Sequence, residues 1–321
     1  MTNLRTMKLK TKLANYRHFA RAASIILIAG FAFAEPIHAG TISTDGDVPV
    51  NMDSDLGTSL DSADYIIGVG TGIDRDFGSE SPVEVGGVNG YNRLIIQNGA
   101  TVTSNGGTVG LYSSFNGAVI QDSGSIWTAT SSVVVGYEGH NNSLVIKDGA
   151  QMVAPNVYIG QGGSTPSNGN SLTVTGQNSA LIVSGNLEIG TNGSSNTMTI
   201  ENGGLIKTQV AFKGPDSFFR LDGGYLAVQG NIETAIPGII AAGWFQLWDG
   251  TGWVTVTDSG QFTFSYFSGD QEAEAQAFSG YEGLGGYTII TTIPEPGTWG
   301  LIGAAALGAL PLLSRRFRRR S

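Results

Sequence analysis

The sequence predicts an all-β protein built around a parallel β-helix of about five to six coils. Three observations carry that expectation. Glycine supplies 48 of 321 residues and charged residues only 13%, a profile suited to short strands and tight turns rather than amphipathic helices. The segments "LIIQNGATV", "AVIQDSGSI", "LVIKDGAQM" and "MTIENGGLI" share one frame, with Asn98, Asp122, Asp148 and Asn202 separated by 24, 26 and 54 residues, the last being two periods. A second column, "TVG", "VVVG", "VYIG" and "LEIG", ends at Gly110, Gly136, Gly160 and Gly190 at nearly the same period.

From the N-terminus, Arg5, Lys8, Lys10, Lys12, Arg17 and Arg21 precede an apolar stretch from Ala22 to Ala34 and small residues at Ala34 and Ala39. This is the layout of a secretory signal peptide, expected over 1–39 as a helix in its apolar part and cut after Ala39, with Ala34 as the alternative. Signal peptidase and Sec-type export machinery are the partners it implies. The next stretch, 40–64, is an acidic N-terminal cap: Asp45, Asp47, Asp53, Asp55, Asp61 and Asp64, with Asp74 and Asp76 beyond it, form a carboxylate cluster. Hard cations take oxygen ligands, but neither an EF-hand loop nor a nonapeptide calcium repeat is present, so the cluster is read as solvated.

The repeats run from 65 to 233. Each period holds three short β-prone pieces, as in "VVVG", "SLVIKDG" and "QMV", separated by Gly, Asn and Ser. Three short strands per period are what one coil needs, with coils stacked about 4.8 Å apart. Val133, Val135, Leu144 and Ile146 are the expected inward residues, and the Asn/Asp-Gly steps are corner residues that tolerate left-handed backbone. Residues 234–292 change character. "GWFQLWDGTGWVTVT" reads as an aromatic hairpin turning at Asp249-Gly250-Thr251-Gly252. It is expected to belong to an antiparallel β cap over the open helix end. Trp244, Trp248 and Trp253 are alternatively candidates for stacking on sugar rings.

The chain ends "IPEPGTWGLIGAAALGALPLLSRRFRRRS", covering 293–321. Pro294, Glu295 and Pro296 hold an extended stretch. The fifteen residues Trp299–Leu313 form a short apolar segment, expected as a transmembrane helix, and Arg315, Arg316, Arg318, Arg319 and Arg320 would keep the C-terminus cytoplasmic.

Several chemistries are excluded or weakened. There is no cysteine, so disulfides, thiolate metal sites and cysteine nucleophiles are absent. Only His140 lies outside the leader among the three histidines, with no partner pattern around it. No cofactor or metal motif appears, and the reading is not an enzyme. Of 17 basic residues, six lie in the leader and five in the tail, leaving six against 24 carboxylates, a balance of −18. Nucleic acid is therefore excluded as a partner, because its binding needs Lys and Arg against phosphate.

Two resemblances follow from these motifs. "SLTVTGQNSALIVSGNLEIG" and the more diverged "AVIQDSGSIWTATSSVVVG" resemble the repeats of autotransporter passenger domains and PEP-CTERM proteins, over roughly Tyr65 to Gln229. The order Pro-Glu-Pro, short apolar helix and arginine cluster resembles the PEP-CTERM sorting signal of Gram-negative bacteria. That resemblance implies an exosortase that cleaves the tail, transient anchoring in the inner membrane, and delivery to the outer surface or extracellular matrix. It also implies an association with exopolysaccharide or biofilm. The function expected is a structural or interaction protein of the cell surface. A carbohydrate-binding adhesin working through the aromatic region is the alternative, and a polysaccharide lyase or hydrolase comes third.

Overall fold

The computed structural model describes residues 38–43, 62–68, 74–76, 82–87 and 90–293. The chain divides into two compact units, 1–38 and 39–321, and the described residues, His38 aside, belong to the second. The expected signal peptide lies almost wholly outside the described residues, as do most of the acidic stretch and the sorting tail after Ile293. Among the described residues, no helix is long and apolar enough to cross a membrane.

The architecture is a stack of coils built from short strands that line up in three parallel faces. Face one consists of Ser62–Ile67, Arg93–Ile96, Gly117–Ile120, Ser143–Lys147, Ser171–Thr175, Thr197–Glu201 and Phe218–Asp222. Face two follows with Asp74–Asp76, Thr101–Ser104, Ile126–Ala129, Gln151–Ala154, Ala180–Val183, Leu205–Thr208 and Tyr225–Gln229. Face three holds Val83–Val85, Gly107–Val109, Val133–Tyr137, Val157–Gln161, Asn186–Ile189 and Val210–Lys213. The result is a parallel β-solenoid of about seven turns rather than five to six. The difference arises at the ends. The first coil ("SADYII", "DRD", "VEV") keeps the second column at Gly86 but lacks the Asn/Asp-Gly step of the first, and the seventh has no third strand.

Register is strict because inward positions recur on every rung. Leu144 lies between Ala118 and Leu172, and Ile146 between Ile120 and Val174. The expected inward residues Val133, Val135, Leu144 and Ile146 are fully buried, and their equivalents fill one continuous core. Burying each such side chain contributes roughly 1.5–3 kcal/mol, so a one-residue slip that turned a rung inside out would be very costly.

The corner between faces one and two explains the Asn/Asp column. Asn98-Gly99, Asp148-Gly149 and Asn202-Gly203 all have positive φ, from +52° to +86°. Each pair is spanned by a turn hydrogen bond, in which Ala100, Ala150 and Gly204 donate to the carbonyls of Gln97, Lys147 and Glu201 at 3.0–3.1 Å. Two successive positive φ values define the type I′ turn that Asn-Gly and Asp-Gly favour.

The corner between face three and the next face one is more elaborate. Gly86, Gly110, Gly136, Gly160 and Gly190 have φ between +68° and +77°. A Cβ on Gly110 or Gly136 would lie 2.2–2.3 Å from the Asn142 or Asn170 side chain, so conformation and space both demand glycine. The asparagines in question form a buried ladder: Asn92, Asn116, Asn142, Asn170 and Asn196 are each at most 1% exposed. In every step the backbone N–H (2.9 Å) and Nδ2 (3.1–3.2 Å) of one asparagine donate to Oδ1 of the next. Backbone groups turned inward at a corner must find partners, and here one side-chain oxygen per coil supplies them. Ser217, also buried, takes the equivalent place in the seventh coil.

After Gln229 the chain leaves the solenoid path. Instead of a third strand it forms the helix Ile236–Ala241, with Ile236 and Ile240 buried. Val210–Lys213 is consequently the outermost strand of face three among the described residues. Its register with Asn186–Ile189 sets Lys213 in the inward column of Ile189 and Ile159. The Lys213 ammonium donates to the Gly214 carbonyl at 3.1 Å and stands 5.4 Å from the centre of the Phe218 ring.

Candidate functional site

Faces one and two are extended beyond the coils by further strands. Phe245–Trp248 continues face one parallel to Phe218–Asp222, then pairs antiparallel with Trp253–Val256. Tyr287–Thr292 pairs antiparallel with both Tyr225–Gln229 and Phe262–Phe267. "QEAEAQAF" lies largely in a helix, Glu272–Ser279, which ends at Gly280 in the left-handed conformation.

The hairpin is turned by Asp249, whose Oδ1 accepts from the Thr251 N–H (2.8 Å), the Thr251 hydroxyl (2.7 Å) and the Gly252 N–H (2.9 Å). The Thr251 hydroxyl first, and those backbone N–H groups after it, hold the Asp249 carboxyl below its ordinary range.

The three tryptophans separate into two settings. Trp244 stacks on Phe219 with the rings 6° from parallel and 6.3 Å apart, against the end of the solenoid core. With Ile236, Ile239 and Val210 it lines an apolar cavity of about 320 Å³. Trp248 and Trp253 face each other across the hairpin, edge to face, at 5.7 Å. Arg220 lies 5.3 Å from the Trp253 ring centre and donates Nε–H to Gln246 Oε1 at 2.9 Å. Burial lowers the Arg220 pKa. Trp248 lines a larger open cleft of about 1020 Å³, together with Asp222, Asp249, Asp258 and Gln261. A ring beside three carboxylates and an amide has the composition of a surface that meets hydroxyl-rich molecules, ring against sugar C–H groups and acceptors against hydroxyls. Among the described residues, no three His, Asp or Glu side chains are grouped to hold a metal ion.

Sequence reasoning missed a second region, the long edge where face three turns into face one. His140 belongs there, in a ladder opposite in direction to the asparagines. Ser114 Oγ accepts from the His140 N–H (3.1 Å), His140 Nδ1 from the Asn168 N–H (3.2 Å), and Asn168 Oδ1 from the Ser194 N–H (2.7 Å). His140 is thus a structural link between coils, and its Nδ1 is engaged as an acceptor.

The residue just before each ladder asparagine has positive φ: Tyr91 (+66°), Phe115 (+63°), Asn141 (+55°), Gly169 (+70°) and Ser195 (+59°). Left-handed backbone suits Asn and Gly but costs an aromatic residue about 1–2 kcal/mol. Tyr91 and Phe115 stack at 5.1 Å, 16° from parallel, and Tyr112 meets Tyr137 edge-on at 6.0 Å. The signal was readable as a Tyr or Phe before Asn, but the residue type gave no hint that its backbone would be left-handed.

Pro294, Glu295, Pro296 and the arginines at 315, 316, 318, 319 and 320 lie outside the described residues. No family model matches the chain, and neither a curated protein nor a solved structure shows significant similarity to it.

Proposed function

We propose that this chain is an exported structural or interaction protein of the Gram-negative cell surface or extracellular matrix, processed by an exosortase and associated with exopolysaccharide. The observation that carries the reading is the order of the tail: Pro294-Glu295-Pro296, the apolar run Trp299–Leu313, then five arginines. On this reading the leader 1–39 directs export, the apolar run holds the protein transiently in the inner membrane, and cleavage near Pro294 releases the solenoid. A repetitive exterior with side chains fixed at one-rung intervals suits an extended partner better than a small substrate. The elements 234–292 act chiefly as a cap, covering core and strand edges at the C-terminal end.

The test is the intact mass of the mature protein from its native host, with and without the exosortase. A C-terminus near Pro294 that depends on the enzyme is the expected result. A chain still ending at Ser321 in both strains overturns the sorting reading and leaves Trp299–Leu313 as a plain anchor.

A carbohydrate-binding role for the aromatic region is the second reading, favoured by the exposure of Trp248 to the cleft it shares with Asp222, Asp249 and Asp258. Trp248→Ala should abolish glycan retention with folding intact. Trp244→Ala should instead destabilise by roughly 3 kcal/mol, since that ring is packed on Phe219. Retention unchanged in Trp248→Ala would assign these tryptophans to the cap alone.

A further inference from the structure

We propose that the long edge between face three and face one is a binding surface for a neutral polysaccharide chain, with Tyr91, Tyr112, Phe115 and Tyr137 as its contact residues. The proposal shares the exterior location argued above but concerns a different surface from the Trp248 cleft, and its test is independent of tail processing.

Several aromatic residues of this edge are not required by the fold. Tyr112 and Phe115 are 59% and 51% exposed, the highest values among the exposed large apolar side chains described. Tyr91 and Phe115 occupy left-handed backbone positions that later coils fill with Asn141, Gly169 and Ser195. The solenoid therefore forms the same corner without aromatics, and with residues better suited to it. Strain kept at an exposed position, where no core packing explains it, is the mark of a surface selected for contact.

The surroundings define the ligand. Ser114, Asn141 and Glu138 flank the rings in the same loops, so the edge combines tyrosine, serine, asparagine and glycine, a composition of adaptable hydrogen-bonding surfaces. Glu138 is fixed by its Oε1 accepting from the Ser164 N–H (2.6 Å), a bond that lowers its pKa and keeps it an acceptor. Aromatic rings beside acceptors match the C–H faces and hydroxyls of sugars. A body carrying a balance of −18 repels uronic or sulfated chains, which selects an uncharged glycan. The two aromatic pairs draw on three successive loops, so an extended chain, rather than a single sugar, spans them.

The test is affinity gel electrophoresis of the full chain in gels containing hydroxyethylcellulose or glucomannan, with alginate as the anionic control. The wild type should be retarded in a neutral gel and not in alginate. The double variant Tyr91→Asn/Phe115→Asn, which installs the residue found at position 141, should lose at least fivefold in retardation while its melting temperature stays level or rises. Tyr112→Ser should weaken retardation without a change in melting temperature. Wild-type migration unaffected by either neutral glycan overturns the proposal, including the case where this edge instead docks on a protein. So does a double variant that is retarded like wild type, or one that melts several degrees lower, because the aromatics would then serve the fold.

Discussion

Asn142 Oδ1 accepts two hydrogen bonds from Asn116, one from the backbone N–H at 2.9 Å and one from Nδ2 at 3.1 Å. Its own Nδ2 donates to Asn170 Oδ1 and to the Ser113 carbonyl. Asn142→Ala would strand polar groups of three neighbouring loops in a site closed to water. Each unsatisfied buried group costs about 1–3 kcal/mol, so a loss of roughly 3–4 kcal/mol is expected in denaturant unfolding. A loss below 1 kcal/mol would mean that water replaces the ladder.

Two glycines separate conformation from space. Gly136 and Gly250 both have positive φ, +77° and +92°, but a Cβ on Gly136 would collide with Asn170 while one on Gly250 would meet nothing within 4 Å. Gly250→Ala should cost only the backbone term, about 1 kcal/mol. Gly136→Ala should cost about 3 kcal/mol or more, because the ladder has to move. Equal melting temperatures for the two variants would contradict this division.

Tyr281 ties the C-terminal elements to the solenoid, its hydroxyl donating to the carbonyls of Gly203 (2.7 Å) and Ser179 (3.1 Å). Burial pushes its pKa up to about 12. Below the ordinary tyrosine value near 10 both states hold the proton and the contribution is complete. Between about 10 and 12 the unfolded chain releases the proton first, so stability falls as pH rises through that window. Tyr281→Phe should lower stability by about 1–2 kcal/mol at pH 7 and flatten the decline above pH 10 in thermal melts. An unchanged slope would show that this hydroxyl does not govern it.

Glu201 and Asp222 follow one another in an outward column of face one, directly beyond the paired Ile200 and Leu221. Burial, with a smaller contribution from Asp222, raises the Glu201 pKa against the opposing Thr175 hydrogen bond. A carboxyl that holds its proton longer when folded loses stability as pH rises above the ordinary Glu value. Glu201→Gln should therefore stabilise at pH 7, by about half a kcal/mol once solvent screening is allowed for, and the gain should vanish near pH 4. Stabilisation of the same size at both pH values would point to packing instead.

The corners were the most legible part of the fold. Asn98, Asp148 and the glycines at 110, 136, 160 and 190 stand out because left-handed backbone admits few residue types. The inward residues were legible from alternation. The asparagine ladder was not, although Asn92, Asn116, Asn142, Asn170 and Asn196 recur at 24 to 28 residues: asparagine is common in turns, and nothing in its identity announces burial. The end coils are less legible because each carries only part of the pattern: the first has Gly86 but no Asn/Asp-Gly step, and the seventh has no third strand. Trp244 shares its residue type with Trp248 and Trp253, but it stacks on Phe219 at the end of the core, which residue type alone does not reveal.

Lys213 ends the apolar inward column of face three with a charge. A rung ending in Ile or Val, as at Ile189 and Ile159, would present an apolar template on which another molecule's first coil could settle, and copies would then string into fibres. An ammonium in that column must be desolvated before any further rung is added to face three, which disfavours addition there. Lys213→Ile would remove that cost and leave the open end of face three apolar.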